Sequence, residues 1–302
     1  MKIYTLTLNP AFDVYADADT LSVSRENFAE LVRRDAGGKG VNISRALSAW
    51  GTENTAVVVL GKENGISYQS SLAQYGLNAV YLEREGSIRE NLTIRHEGTE
   101  TRISFSGFRV DETVLQDVLK LIDIEEETIV TFTGSIPLGL DKTAVISFLR
   151  SLKEKGVKLV IDCRSFTLED ISVLKPWLVK PNLQELAAWF DCEVSSVAKV
   201  KECAVKLRAM GVENAMISMG AQGAVLACDE IYAGIPPKIK PVSTIGAGDS
   251  SIAGFISAAA DGLSAADRLR RAVAFGTAAC MTEGTQPPRK EDIDRIVKDV
   301  LS

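Results

Sequence analysis

The stretch from Ser243 to Phe255, "STIGAGDSSIAGF", decides how the rest of the chain is read. Gly246, Ala247 and Gly248 run directly into one carboxylate, Asp249, and "SSIAGFISAAA" then reads as a helix of small and apolar residues. A helix that starts after such a turn presents unpaired backbone N–H groups and the positive end of its dipole. Glycine lets those groups come within hydrogen-bond reach of an anion, and phosphate is the usual guest. A carboxylate at that point repels a phosphate unless it takes part in the reaction. A general base for an attacking hydroxyl takes such a part. On these residues alone, a tight turn in which Asp249 merely caps the helix competes with that reading.

Three further loops extend the pattern. In "RDAGGKGVNISRAL" (34–47), Gly37, Gly38 and Gly40 precede a helix start, with Lys39 in the turn and Asn42 in the first helical turn. The Walker pattern G-x-x-x-x-G-K-[ST] is absent, so these groups suit sugar hydroxyls or a phosphate, or form a flexible turn with a solvated lysine. In "VKPNLQEL" (179–186), Asn182 and Glu185 share one face of a helix start after a strand. At the carboxyl edge of a parallel sheet they suit hydrated Mg²⁺ and phosphate oxygens, although Asn-x-x-Glu is locally a capping box first. In "SMGAQGA" (218–224), Gly220 and Gly223 separate two strands, as an ordinary hairpin turn also would.

Apolar runs at 3–8, 55–61, 128–134, 157–162, 177–181, 215–220 and 223–228 read as strands. Helical patterns lie near 41–50, 65–75, 111–122, 141–155, 183–190, 196–210 and 264–281. Short Val/Ile/Leu strands alternating with amphipathic helices predict a mainly parallel sheet covered on both faces. No linker or repeat divides the chain, so one domain spanning 1–302 is expected. Residues 91–105 break the alternation: apolar and polar positions alternate around Glu97-Gly98, which predicts a hairpin. Leu92, Ile94, Ile103 and Phe105 would share one apolar face, covering a site or pairing with a second copy.

Composition narrows the function. Of 302 residues, 46% are hydrophobic and 25% charged, with a net charge of −6, which disfavours nucleic acid as the main partner. No apolar run reaches the roughly 18–20 residues that span a bilayer. The start, "MKIYTLTLNPAFD", reads as a first strand rather than a signal peptide, and five scattered cysteines without C-x-x-C read as reduced thiols. A cytoplasmic protein is expected, with the glycosylation sequons at Asn42 and Asn91 accidental. The single histidine, His96, rules out zinc sites with several histidines; without a G-x-S-x-G elbow a hydrolase triad is disfavoured. Beside the predicted turn, His96 is expected to be an exposed spectator.

With these motifs in this order, the chain resembles the phosphofructokinase B (ribokinase-like) family of sugar kinases. "GGKGVN" is similar to its N-terminal sugar-side motif and "STIGAGDSSIAGF" to its C-terminal signature, with "KPNLQE" and "SMGAQGA" between them. The resemblance runs from "TLNPAFD" to "GTAACMTEGT". Further, "NPAFD" (9–13), "SVSRE" (22–26), "SIRENLTI" (87–94) and "TGSIP" (133–137) resemble the branch that phosphorylates ketohexose phosphates. The implied fold is a three-layer α/β/α ribokinase-like fold with a mainly parallel central sheet and a small β-sheet lid, at about 11–35 and 87–108.

The implied reaction is ATP-dependent phosphorylation of a ketohexose phosphate, fructose 1-phosphate first, with tagatose 6-phosphate or fructose 6-phosphate as alternatives. Behind these stand a kinase of an unphosphorylated sugar or nucleoside, which Arg89 and Lys39 disfavour, and a non-catalytic sugar-phosphate sensor, which Asp249 and its glycines disfavour. Asp249 would be the base, and Gly246, Ala247 and Gly248 the anion hole. Asp13, Gly38, Lys39, Asn42, Asn91 and Ser135 would contact the sugar; Arg89, helped by Lys39, Arg25 and Arg102, would bind its existing phosphate. Lys180, Asn182, Ser218, Met219, Gly220 and Gly223 would line ATP. Asn182 and Glu185 would hold Mg²⁺, directly or through water. A homodimer through the lid is the implied assembly. The chain departs from the branch at Ser87-Ile88, at Ser106 and in "DCRSF" (162–166), all of which bear on sugar choice rather than on Asp249.

Overall fold

The protein is described from a computed structural model over residues 1–301. The opening apolar run forms β1 (Ile3–Thr7), every residue of it buried. It is followed by β2 (Ala11–Asp17), β3 (Glu30–Gly37), α1 (Lys39–Trp50), β4 (Thr55–Gly61), α2 (Gly65–Ala73) and β5 (Ala79–Arg84). Next come β6 (Arg89–His96), β7 (Thr99–Ser104), α3 (Thr113–Leu121), β8 (Ile129–Gly134), α4 (Lys142–Glu154) and β9 (Lys158–Cys163). Then follow α5 (Leu168–Leu174), β10 (Leu178–Val179), α6 (Leu183–Phe190), α7 (Val197–Ala209) and β11 (Asn214–Ser218). The chain closes with β12 (Ala224–Ala227), β13 (Ile231–Gly234), α8 (Ala247–Ala260), α9 (Ala265–Ala279) and α10 (Lys290–Asp299).

Nine strands make the larger sheet, in the order β13-β12-β11-β10-β9-β8-β1-β4-β5. It is parallel from β5 to β11, and β12 and β13 add an antiparallel edge. Both faces are buried, and pleating sends successive side chains to opposite cores. Leu159 and Ile161 of β9 join the core under α4 and α7, while Val160 between them joins the core with α1, α8 and α9. Each fully buried aliphatic side chain stabilises by about 1.5–3 kcal/mol, which is why such strands read as continuous apolar runs. The small residues of α8 serve close helix packing. A side chain at Gly254 would meet Arg271 O at 2.8 Å and Phe275 Cβ at 2.9 Å.

Four strands make the smaller sheet, in the order β3-β2-β6-β7, with β2 and β6 parallel and the outer pairs antiparallel. The hairpin falls where the alternation predicts it. Glu97 and Gly98 take φ values of 47° and 75°, and two left-handed residues match the twist of a tight two-residue turn. Leu92 pairs with Ile103 and Ile94 with Thr101, so the expected apolar residues share a face; Ile103 and Phe105 remain exposed. The opposite face carries Asp13, Asn91, Tyr15, Thr93, Arg33 and Arg102 in matching register.

Some expectations need correction. β10 spans two residues rather than five, because Pro176 and Pro181 flank it and proline cannot donate to the ladder. β5, β13, α5 and α10 are additional elements. His96 is not exposed, since its ring packs at 14% side-chain exposure and its Nε2 lies 2.8 Å from Thr101 Oγ1. Asn42 and Asn91 are buried, so neither sequon is accessible. The five cysteines are free thiols. Among the described residues, no helix is long and apolar enough to cross a membrane.

Candidate active site

Parallel strands bring their carboxyl ends to one edge of the sheet, and α8 starts there. Gly246 at its N-cap takes φ 79°, and no side chain caps the helix. Asp249 therefore does not act as the cap. It is buried and accepts a 2.9 Å hydrogen bond from Asn42 Nδ2, on the first turn of α1. Burial pushes its pKa up to about 6; nearby Lys39, the Asn42 hydrogen bond and Lys180 oppose the shift, and Asp162 reinforces it. A carboxylate with that value is ionised at neutral pH and is still basic enough to take a proton. The backbone next to it carries no side chain, and one at Gly248 would crowd Lys180 Nζ at 3.2 Å.

Beside this acid lies a second, Asp162, at the end of β9. Lys39 Nζ sits 2.7 Å and Lys180 Nζ 3.8 Å from Asp162 Oδ2. Burial alone would raise the Asp162 pKa, but Lys180 and Lys39 outweigh it and hold the group below its usual range. Lys39 is held above its usual range: burial opposes the shift, and Asp162 and Asp249 overcome it. Two ammonium groups are thereby fixed next to the N-terminus of α8. Asp162 is the residue that the sequence reading missed. Its signal was an acid ending a buried apolar strand, "KLVIDC", at the edge where parallel sheets bind ligands.

The third group belongs to the smaller sheet. Asp13 is buried, accepts a 2.9 Å bond from Asn91 Nδ2, and has Arg102 Nη2 3.5 Å from its Oδ1. Its pKa is raised by burial, against the pull of Asn91 and Arg102. A side chain at Gly37 would stand 2.3 Å from Asp13 Oδ2, so only glycine lets this carboxylate lie on the turn before α1. Gly38, at φ 127°, completes that turn. Arg89 donates from Nη1 to Phe105 O at 3.2 Å and its Nε has no partner. Burial lowers its pKa, while Asp13 supports its charge. Ser135 Oγ accepts from Asn9 Nδ2 at 2.9 Å at the end of β8. Arg25 lies in the exposed segment between β2 and β3, where its backbone O accepts from Asn27 Nδ2 at 3.1 Å.

On the other flank, Asn182 and Glu185 form a complete capping box at the start of α6. Asn182 Oδ1 accepts from Glu185 N at 2.9 Å, and Glu185 Oε2 accepts from Asn182 N at 3.0 Å. Glu185 Oε1 lies outside the box, paired with the exposed Arg164 (Nε at 3.5 Å), in a crevice shared with Asp162 and Lys180. Ser218 is bridged to Asn182 across the sheet edge. Met219 donates to Gly223 O at 2.8 Å around a short turn in which Gly220 and Gly223 take φ 58° and 89°. A side chain at Gly223 would strike Gly234 O at 1.9 Å. Among the described residues, no group of three or more His, Cys, Asp or Glu is arranged to hold a metal ion.

A helix N-terminus without a side-chain cap, a buried carboxylate beside it, two fixed lysines and an arginine-bearing second sheet are the parts that a phosphotransferase needs. The chain belongs to the pfkB family of carbohydrate kinases, whose pattern it matches over residues 10–292. It is similar to a 1-phosphofructokinase of Haemophilus influenzae, 33% identical over 282 residues, covering 92% of this chain and 89% of the relative. A tagatose-6-phosphate kinase of Staphylococcus epidermidis is 29% identical over 306 residues, covering 99% of this chain and 98% of the relative. The crystal structure of phosphofructokinase-2 from Escherichia coli in complex with substrates and products has a TM-score of 0.91 at 27% identity, covering 99% of each chain.

Proposed function

We propose that this kinase transfers the terminal phosphoryl group of ATP to a primary hydroxyl of a ketohexose phosphate, giving a bisphosphate and ADP. Fructose 1-phosphate is the first choice of acceptor and fructose 1,6-bisphosphate the product. The observation that carries the reading is the first turn of α1. Gly37 leaves the room that Asp13 occupies, and Asn42, five residues on, holds Asp249, so sugar clamp and base flank one piece of backbone. Asp249 takes the proton from the attacking hydroxyl, whose oxygen bonds to phosphorus as the bond to the ADP oxygen breaks. The backbone of Gly246, Ala247 and Gly248 stabilises charge on the moving phosphoryl group, and Lys39 and Lys180 add to it.

Asp13, Gly38, Asn42, Asn91 and Ser135 orient the sugar, and Arg89 and Arg102 bind its existing phosphate. Arginine suits that task because its planar fork meets phosphate oxygens in pairs. Ser218, Met219, Gly220 and Gly223 line the nucleotide beside Asn182. The residues fit Mg²⁺ held through its own water: Glu185 has one carboxylate oxygen outside the capping box, paired with the exposed Arg164, and Mg²⁺ retains most of its hydration. When bound, the ion neutralises charge on the ATP phosphates.

The smaller sheet acts as the lid, and its exposed Leu31, Ile103 and Phe105 support pairing with the lid of a second copy. The working compartment on this reading is the cytoplasm, which supplies ATP and keeps the five thiols reduced. A coupled ADP-release assay with fructose 1-phosphate, fructose 6-phosphate, tagatose 6-phosphate and free fructose tests the proposal. The highest kcat/KM is expected on fructose 1-phosphate. A preference for either 6-phosphate moves the assignment within the branch, and turnover of free fructose alone refutes it.

A further inference from the structure

The lid touches the body at a second place, away from the sugar clamp. Arg33 of β3 reaches the turn after α9 with both terminal nitrogens: Nη1 lies 3.2 Å from Glu283 Oε2, and Nη2 donates to Glu283 O at 3.2 Å. The same guanidinium stacks 4.7 Å over the Tyr15 ring on β2, and its Nε lies 2.7 Å from the buried Asp35 Oδ2. Gly284 fits into this stack only because it has no side chain. At φ 56°, an added Cβ would stand 2.3 Å from Arg33 Nη2 and 2.6 Å from the Tyr15 ring. Gln286 adds a strap, with Nε2 3.4 Å from Asp35 Oδ2. The next contact is the anion hole itself: Thr285 Cα lies 3.6 Å from where a Gly246 side chain would be.

We infer that Arg33 is a positioning residue that latches the lid to the 283–285 turn, so that lid closure and the shape of the Gly246 anion hole are set together. The inference rests on the kinase reading of the site and goes beyond it. Arg33 and Tyr15 share a lid face with Asp13 and Arg102, which hold the sugar phosphate. A sugar phosphate that draws this face inward therefore presses the latch home, and the turn under Gly246 is ordered at the same moment. With the latch open, water reaches the phosphoryl group and the donors lose their alignment. The turn is held by a side chain from the lid and not by its own loop alone, and that makes the coupling a property of closure.

Two readouts test this in the intact enzyme: ATP hydrolysed per sugar phosphorylated, and amide hydrogen exchange at residues 244–250. Arg33→Ala should raise the hydrolysis ratio by about 10-fold, lower kcat/KM for the sugar phosphate by about 10-fold or more, and speed that exchange. Arg33→Lys keeps the charge but cannot span both oxygens, so it should recover only part of the loss. Glu283→Ala leaves the backbone acceptor in place and should fall between, with no added effect on the Arg33→Ala background. Wild-type turnover tests the kinase reading separately, and exchange at 244–250 decides the latch even if that reading fails. An Arg33→Ala enzyme that is less heat-stable, yet has unchanged hydrolysis ratio and unchanged exchange, overturns the latch.

Discussion

Asn42 on α1 and Asp249 on α8, 207 positions apart, are joined by a 2.9 Å hydrogen bond from the amide to the carboxylate. The bond orients the acid and leaves Asn42 Oδ1 buried without a partner. An amide so placed holds the carboxylate on one side and presents an acceptor on the other. The bond connects the glycine turn before α1 to the first turn of α8.

Asp249→Asn should lower kcat by roughly 10²–10⁴-fold and leave nucleotide affinity nearly unchanged, the usual contribution of a positioned base. The same variant should be more heat-stable at neutral pH. The folded pKa of about 6 lies above the ordinary 3.8, so folding favours the protonated acid. That stability is fully present below the unfolded pKa and is lost as pH rises through about 6. A neutral amide avoids the cost, with an expected gain of about 1–3 kcal/mol read from thermal melts. An inactive variant with a lower melting temperature would return Asp249 to a structural role.

The acid limb of the pH–rate profile follows from the same group. The base must be ionised, so kcat/KM for the free enzyme should rise with unit slope up to about pH 6 and then level. Asn42→Ala removes a donor that favours the charged acid and should move that limb to higher pH. Steady-state rates from pH 5 to 8 check both; an unmoved limb in the variant means that another group titrates.

Arg89→Ala should separate phosphorylated from free sugars. A charge-assisted bidentate contact is worth about 1.5–3 kcal/mol, or roughly 10- to 150-fold. The fall in kcat/KM for the sugar phosphate should be at least of that size, with KM for ATP little altered and with the preference over free ketohexose shrinking in parallel. Equal losses on both substrates would show that Arg89 only holds the lid, through its bond to Phe105 O.

The exposed apolar face of the lid should be covered in solution. Sedimentation at micromolar concentration is expected to show a dimer, and Phe105→Asp with Ile103→Asp should give a monomer. A wild-type monomer with and without substrate rules this assembly out.

Much of this molecule was legible from local pattern. Continuous apolar strands alternating with amphipathic helices announced a parallel sheet covered on both faces, because such a sheet has no solvated side. "TIGAGD" announced a helix start without a side-chain cap, since glycine there leaves the backbone donors open at close range. The hairpin was legible because period-two alternation meets a Glu-Gly turn. The placement of Arg25 was not legible, because its segment between β2 and β3 has no pattern that tells where the side chain goes.

What the sequence determined by itself is therefore most of the elements and the groups that sit at or near their ends: Asp249, Lys39, Asn42, Asp13 and Arg89. Propensity, periodicity and glycine geometry act within a few residues, so a single chain displays them. Only the tertiary structure decided that Asp162 holds Lys39 and Lys180, that Asn42 holds Asp249, and that Arg33 grips Glu283 250 positions away. Those pairings depend on which strand ends become neighbours and on how far burial shifts each charge. Neither is set by any residue's own neighbours in the chain; both arise when distant groups are desolvated together at one edge of the sheet.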